Sequence, residues 1–217
     1  MLIRPFPPTA LRRVAYLLTG TAALLAGCSD GAAPSGTTAL SIKLKDAPGD
    51  VQHAVVTIAG INLMGSGGKL VLSSTPMTTD LLTLASSTAD LVTGAEVPSG
   101  TYTELRFLIS GACLAVENGS GGSDIYTTDG YDATPCGGAA TGTLQAPSYA
   151  QSGLKVTLSG SALTLTGPQK ILLVDFDVSQ SFGQAAGQSG QWTMHPVVTG
   201  GEVSGAAVAS VREPPAP

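Results

Sequence analysis

Pro98-Ser99-Gly100-Thr101-Tyr102-Thr103-Glu104-Leu105-Arg106-Phe107-Leu108-Ile109 carries the clearest structural signal in the chain. Pro, Ser and Gly open it with turn chemistry: Pro presets φ, and Gly accepts backbone angles closed to other residues. Thr103, Leu105, Phe107 and Ile109 then alternate with Tyr102, Glu104, Arg106 and Leu108. A repeat of two places each set on its own face of a β-strand, so Phe107 is expected in the core.

The same period recurs on both sides of this stretch. Over residues 39–45, Leu40, Ile42 and Leu44 alternate with Ser41, Lys43 and Lys45, and Asp46-Ala47-Pro48-Gly49-Asp50 closes that strand as a turn. Residues 54–64 read as a longer strand in which Val56 and Ile58 give way to Ile61 and Leu63. The change of phase at Ala59-Gly60 predicts a bulge. Gly65-Ser66-Gly67-Gly68 reads as a turn before a short strand over 69–72; residues 77–84 read as extended, and 85–93 as one or two helical turns stopped by Gly94 and Pro98. Towards the C-terminus, 154–158, 163–166, 170–178 and 192–198 read as strands. Leu172, Val174, Phe176 and Val178 share one face of the third, leaving Leu173, Asp175 and Asp177 on the other.

Only 12% of the 217 residues are charged, and 28 are Gly. Few helix formers and many turn formers give an all-β expectation, an antiparallel β-sandwich forming one domain over residues 39–203.

Arg4, Arg12 and Arg13 followed by an apolar run over residues 14–25 have the layout of a secretory signal, too short to span a bilayer. The residues around Arg12-Arg13 fit a twin-arginine signal poorly, which favours the general secretory route. Leu25-Ala26-Gly27-Cys28 resembles the bacterial lipobox. The resemblance implies cleavage before Cys28 and attachment of membrane lipid to it, with two or three acyl chains giving a lasting anchor. Ser29 suits outer-membrane sorting, whereas Asp30 weakens it. Residues 28–38, poor in large apolar side chains, read as a flexible tether, and 204–217 as a disordered tail.

Without residues 1–27 the chain keeps seven Lys and Arg against fifteen Asp and Glu, a formal charge of −8. That balance argues against a nucleic-acid partner. With Cys28 lipidated, Cys113 and Cys136 remain as an even pair in an oxidising compartment and are expected to form a disulfide around a polar excursion, the alternative being two separate thiols.

Several short blocks occur in order. They are Asp46-Ala47-Pro48, Asp80-Leu81-Leu82, Val97-Pro98-Ser99-Gly100-Thr101-Tyr102-Thr103, Gly153-Leu154-Lys155, Asp175-Phe176-Asp177-Val178 with Ser181, and His195-Pro196-Val197-Val198. Through them residues 39–200 resemble the domain of unknown function 4382 family, found in exported bacterial proteins and lipoproteins, which implies no activity. The Pro-Ser-Gly-Thr-Tyr block also resembles the turn and strand start of transthyretin-like sandwiches.

Candidate chemistry is sparse. Asp46, Asp50 and His53 offer metal-type ligands, although a Pro-Gly turn with solvated acids reads as well. Asp124, Asp129 and Asp132 offer oxygens to calcium in a Gly-rich loop, without the spacing of a calcium-binding loop. Asp175 and Asp177 project alike from one strand, at a spacing open to acid–base work, and His195 stands alone. No serine-nucleophile elbow, zinc-binding helix or phosphate loop occurs. The expectation is a lipid-anchored cell-envelope protein whose sandwich is a non-catalytic binding, adhesion or structural module, with no cofactor or metal and with an envelope protein or glycan as ligand. An envelope hydrolase or metal-binding protein using Asp175, Asp177 and His195 is the alternative.

Overall fold

Fourteen β-strands dominate the residues that the computed structural model describes, which are 36–47, 51–184 and 191–204. In chain order they are β1 (Thr37–Ala47), β2 (His53–Gly65), β3 (Gly68–Ser73), β4 (Met77–Asp80), β5 (Ala89–Pro98), β6 (Gly100–Glu117) and β7 (Ser123–Thr127). After these come β8 (Gly142–Gln145), β9 (Leu154–Leu158), β10 (Leu163–Leu165), β11 (Gln169–Asp177), β12 (Phe182–Gln184), β13 (Trp192–Met194) and β14 (Val197–Val203). Two single-turn helices, α1 (Tyr149–Ser152) and α2 (Val178–Ser181), and two 3₁₀ turns complete them. The fold is all-β. The signal, Cys28, Asp50 and residues 205–217 lie outside the described residues.

β6 is the spine. Along one edge it pairs antiparallel with β2, from His53 opposite Ala115 to Gly65 opposite Tyr102. Its other edge is divided among β10 at the start, β9 in the middle and β7 at the end. β9 also pairs with β14, which continues through β11 and β1 to β5, while β7 continues through β8 and β13 to β12. The expectation of antiparallel pairing throughout is corrected: β1–β11, β9–β14, β7–β8 and β8–β13 are parallel, so the sheet is mixed. Parallel neighbours need long crossovers, and the β1–β11 pair joins Leu40 to Lys170 across most of the domain.

The inward faces of both strand groups meet in one core. Leu40, Ile42 and Leu44 of β1, Leu105 and Phe107 of β6, and Val174 and Phe176 of β11 are all fully buried in it. The expected bulge in β2 is present: Ile58 lies opposite Ile109 and Gly60 opposite Leu108, leaving Ala59 unpaired. β6 bulges at the same level, since Thr57 lies opposite Gly111 and Ser110 is skipped. Both strands therefore change phase together. Core-facing residues run Ala54, Val56, Ile58, then Ile61, Leu63 on β2, and Leu105, Phe107, Ile109, then Ala112, Leu114 on β6.

Three expectations are corrected. Residues 85–93 hold no α-helix: a 3₁₀ turn over Leu81–Leu84 precedes β5, with Asp80 accepting from the Leu82 N–H. Gly94, at φ 59°, marks the β5 bulge where pairing slips between Leu40–Ala95 and Ile42–Val92. Residues 192–198 form two strands because Pro196 has no N–H to give a ladder; β13 joins β8, and β14 joins β11. The stretch between the cysteines contains a strand, β7, where a polar excursion was expected.

Candidate functional site

The two ends of β6 are built differently. Near the start of β6, the Gly65–Gly68 turn, the Pro98–Gly100 turn and β10 surround an open cleft of about 1060 Å³, just above the usual range of ligand-site sizes. Ser66, Ser99, Thr101, Thr103, Thr164 and Thr166 give it six hydroxyls, and Lys69 its one charged side chain. Tyr102 lies across Gly65, where a Cβ would stand 2.8 Å from Tyr102 Cδ1. Its hydroxyl donates to the Pro98 carbonyl at 2.8 Å and pins the turn. Partial burial raises the phenol's pKa, so it stays a neutral donor.

This is also the end where the described chain begins and finishes. The Ser99 N–H donates to the Gly36 carbonyl at 2.9 Å, and Thr38 Oγ1 donates to the Gly167 carbonyl at 2.9 Å. Val203, at the close of β14, lies opposite Ile171 near the start of β11.

The opposite end is tied shut. Cys113 and Cys136 are joined, with Cα atoms 6.2 Å apart and both residues buried. Val55, Ala115, Ile125 and Ala133 pack around the bridge as a small second core on the outer face of β2 and β6, with Tyr131 against it. Threonines supplement this scant apolar area. Thr128 Oγ1 accepts from the Ala112 N–H at 3.0 Å, and Thr141 Oγ1 from the Ile125 N–H at 2.8 Å. Gly111 leaves room for the Tyr131 ring, whose hydroxyl meets Thr57 Oγ1 at 2.8 Å.

The candidate catalytic and ligating residues are engaged in holding turns. Asp46 is buried and accepts from the Val178 N–H at 3.2 Å. His53 Nδ1 meets Asp80 Oδ2 at 2.6 Å, while Asp80 Oδ1 accepts from the Ala54 and Leu82 N–H groups. Asp175 pairs with Lys45. Asp177 caps α2 through the Gln180 N–H, and its carboxyl pKa is lowered first by the Ser179 hydroxyl. The N–H of His195 donates to the Ser181 carbonyl, and that of Val197 to Ser181 Oγ, so Ser181 holds both sides of Pro196. The His195 side chain is exposed. Asp132 caps the turn at Thr134, whose N–H lowers its pKa; Asp124 takes a 3.4 Å contact from Asn118 Nδ2. Among the described residues, no three His, Cys, Asp or Glu side chains group as metal ligands.

Sequence reasoning therefore overlooked the cleft and Lys69. Two glycine turns, at 65–68 and 98–100, were visible separately; their meeting depends on the β2–β6 register, which no local pattern reveals. The blocks Asp46, Asp80, Asp177 with Ser181, and His195-Pro196 lie together at the tied end and work as backbone locks.

No curated protein and no solved structure matches the chain. The family model described as "Domain of unknown function (DUF4382)" matches residues 37–196, a span that opens with β1, contains both the cleft and the disulfide-tied end, and closes at Pro196. The chain belongs to that family.

Proposed function

We propose that this chain is a lipid-anchored protein of the bacterial cell envelope whose β-domain is a non-catalytic binding module, with the cleft as its binding surface. The observation that carries the reading is the coincidence of the cleft with the end at which the described chain begins, at Gly36. Seven residues lie between Cys28 and Gly36, eight steps along the chain and a reach of at most about 29 Å when fully extended. An acyl anchor on Cys28 would hold the cleft close to the membrane and present the disulfide-tied end outward. At that short range the tether raises the effective concentration of envelope ligands at the cleft.

The non-catalytic reading is supported by the engagement of the candidate acids. The hydrolase alternative draws on Asp175, whose Oδ1 is buried without a hydrogen-bond partner among the described residues. Its other oxygen is held by Lys45, and Asp177 is held by α2, so both acids are engaged in fixing structure. The binding reading therefore has the stronger support.

Replacing Cys28 with Ser and fractionating the cells tests the anchor. The variant is expected in the soluble fraction, and its recovery in the membrane pellet without the signal would overturn the anchored reading. Thr101→Trp tests the surface. Filling the cleft should abolish capture of envelope ligand by the mature Cys28→Ser chain while its melting temperature holds.

A further inference from the structure

Charge is distributed unevenly over this domain, and the imbalance gives the cleft a chemistry. Six Lys and Arg fall among the described residues. Five are neutralised: Lys43 by Asp90, Lys45 by Asp175, Arg106 and Lys155 by Glu104, and Lys170 by Glu202. Lys69 alone among them has no acid partner. It is exposed, fixed opposite Met64 beside the Gly65–Gly68 turn, and no Asp or Glu lines the cleft it enters. The rest of the lining is hydroxyl and backbone from Ser, Thr and Gly, with the Tyr102 ring, Leu70 and Pro98 as its apolar walls.

A site with one point charge among neutral donors and acceptors matches a ligand with one anionic group among many hydroxyls. Resting on the binding reading above, we infer that the cleft takes an acidic carbohydrate, its carboxylate or phosphate paired with Lys69 and its hydroxyls met by Ser66, Ser99, Thr101 and Thr164. A lysine ammonium, with three donors and no fixed plane, accepts either anion. The face lacks what a lipid-inserting surface needs. Val71 and Val197 are the large apolar residues exposed among the described ones, and they stand on separate strands, β3 and β14. The formal charge of −8 also opposes broad contact with an anionic surface, whereas one charged sugar in a concave site avoids that repulsion.

The test uses the mature Cys28→Ser chain, ¹⁵N-labelled and titrated separately with trigalacturonate, glucose 6-phosphate, maltotriose, and vesicles of phosphatidylglycerol in phosphatidylcholine. At least one of the two acidic sugars is expected to shift the amides of residues 66–70 and 99–103. Lys69→Gln should weaken that binding about tenfold, Lys69→Arg should largely retain it, and neither should move the melting temperature. Maltotriose bound as tightly as the acidic probes, with Lys69→Gln neutral, would overturn the anion assignment and leave the cleft as a binding surface. Vesicles shifting the cleft amides while the soluble sugars do not would assign the cleft to a lipid headgroup and overturn the carbohydrate. Cleft amides unmoved by every probe, including both acidic sugars, would overturn the inference; only the Thr101→Trp capture result then bears on the broader reading.

Discussion

β6 begins at an open cleft and ends under a crosslinked cap, and the two halves of this one strand serve different purposes. From Gly100 to Ile109 one face exposes Thr101 and Thr103 at the cleft and buries Leu105, Phe107 and Ile109, while the other carries Tyr102, Glu104, Arg106 and Leu108 at intermediate exposure. From Gly111 to Ala115 every residue is buried, because the cap covers the face that the first half leaves partly open. The tied half is built from contacts that fix the backbone, whereas at the open end Tyr102 and Ser99 hold the turn and the chain start while Ser66, Thr101 and Thr164 and the Lys69 ammonium line the cleft. Substitutions should therefore cost stability at one end and binding at the other.

The largest effect is expected at the disulfide. Cys136→Ser opens a loop with a sequence separation of 23 and should lower unfolding free energy by about 3 kcal/mol in the chain-entropy description. Urea titration measures it. Proteolysis of the variant should begin in the cap, within residues 128–141, and initial cleavage at the cleft turns would break the comparison.

Gly111→Ala comes next. A Cβ there would lie 2.1 Å from Tyr131 Cδ2, so the ring must leave its place and its hydrogen bond to Thr57. The expected loss is about 1–3 kcal/mol. Combining it with Tyr131→Ala should cost less than the sum of the two single losses, because one ring contact is removed in both.

Acidification gives a smaller and graded effect. Lys155 and Arg106 lower the Glu104 pKa, Thr134 lowers that of Asp132, and Ser179 and Gln180 lower that of Asp177. Because the folded values are depressed, this stabilisation is complete above the ordinary carboxylate range of about 4 and is lost as pH falls through the folded values. Asp132 and Asp177 sit at the tied end, so hydrogen exchange at low pH should quicken first around Thr134 and α2. Earlier quickening at the cleft turns would contradict that order.

Least is expected of Lys69→Gln. An exposed, unpaired side chain should change stability by no more than about 0.5 kcal/mol. A larger loss in thermal melting would show that Lys69 supports the fold.

What could be read from the sequence follows the range of the forces involved. Alternation in β1, β6 and β11 is local, so the burial of Leu40, Phe107 and Phe176 was legible, as was the bulge at Ala59. Cysteine parity found the bridge between Cys113 and Cys136 without geometry. β5 was misread because Leu91 and Val92 are both buried around a bulge, which erases its alternation. β7 and β8 carry few apolar residues and owe their places to Thr141 and the crosslink. The parallel pairing of β1 with β11 and the convergence of two glycine turns into a cleft depend on contacts far apart in sequence. Asp175 and Asp177 looked like a catalytic pair because a strand's period aligns them, yet Lys45 from the neighbouring strand and the helix cap occupy them.

The division of labour between the two ends can be tested in the intact envelope by placing a photoreactive residue at Thr101 in the cleft and, separately, at Thr134 on the cap. Both side chains are exposed, so reactivity alone does not favour either. The account predicts adducts with envelope material from position 101 and none from position 134. Adducts from position 134 with none from position 101 would contradict it.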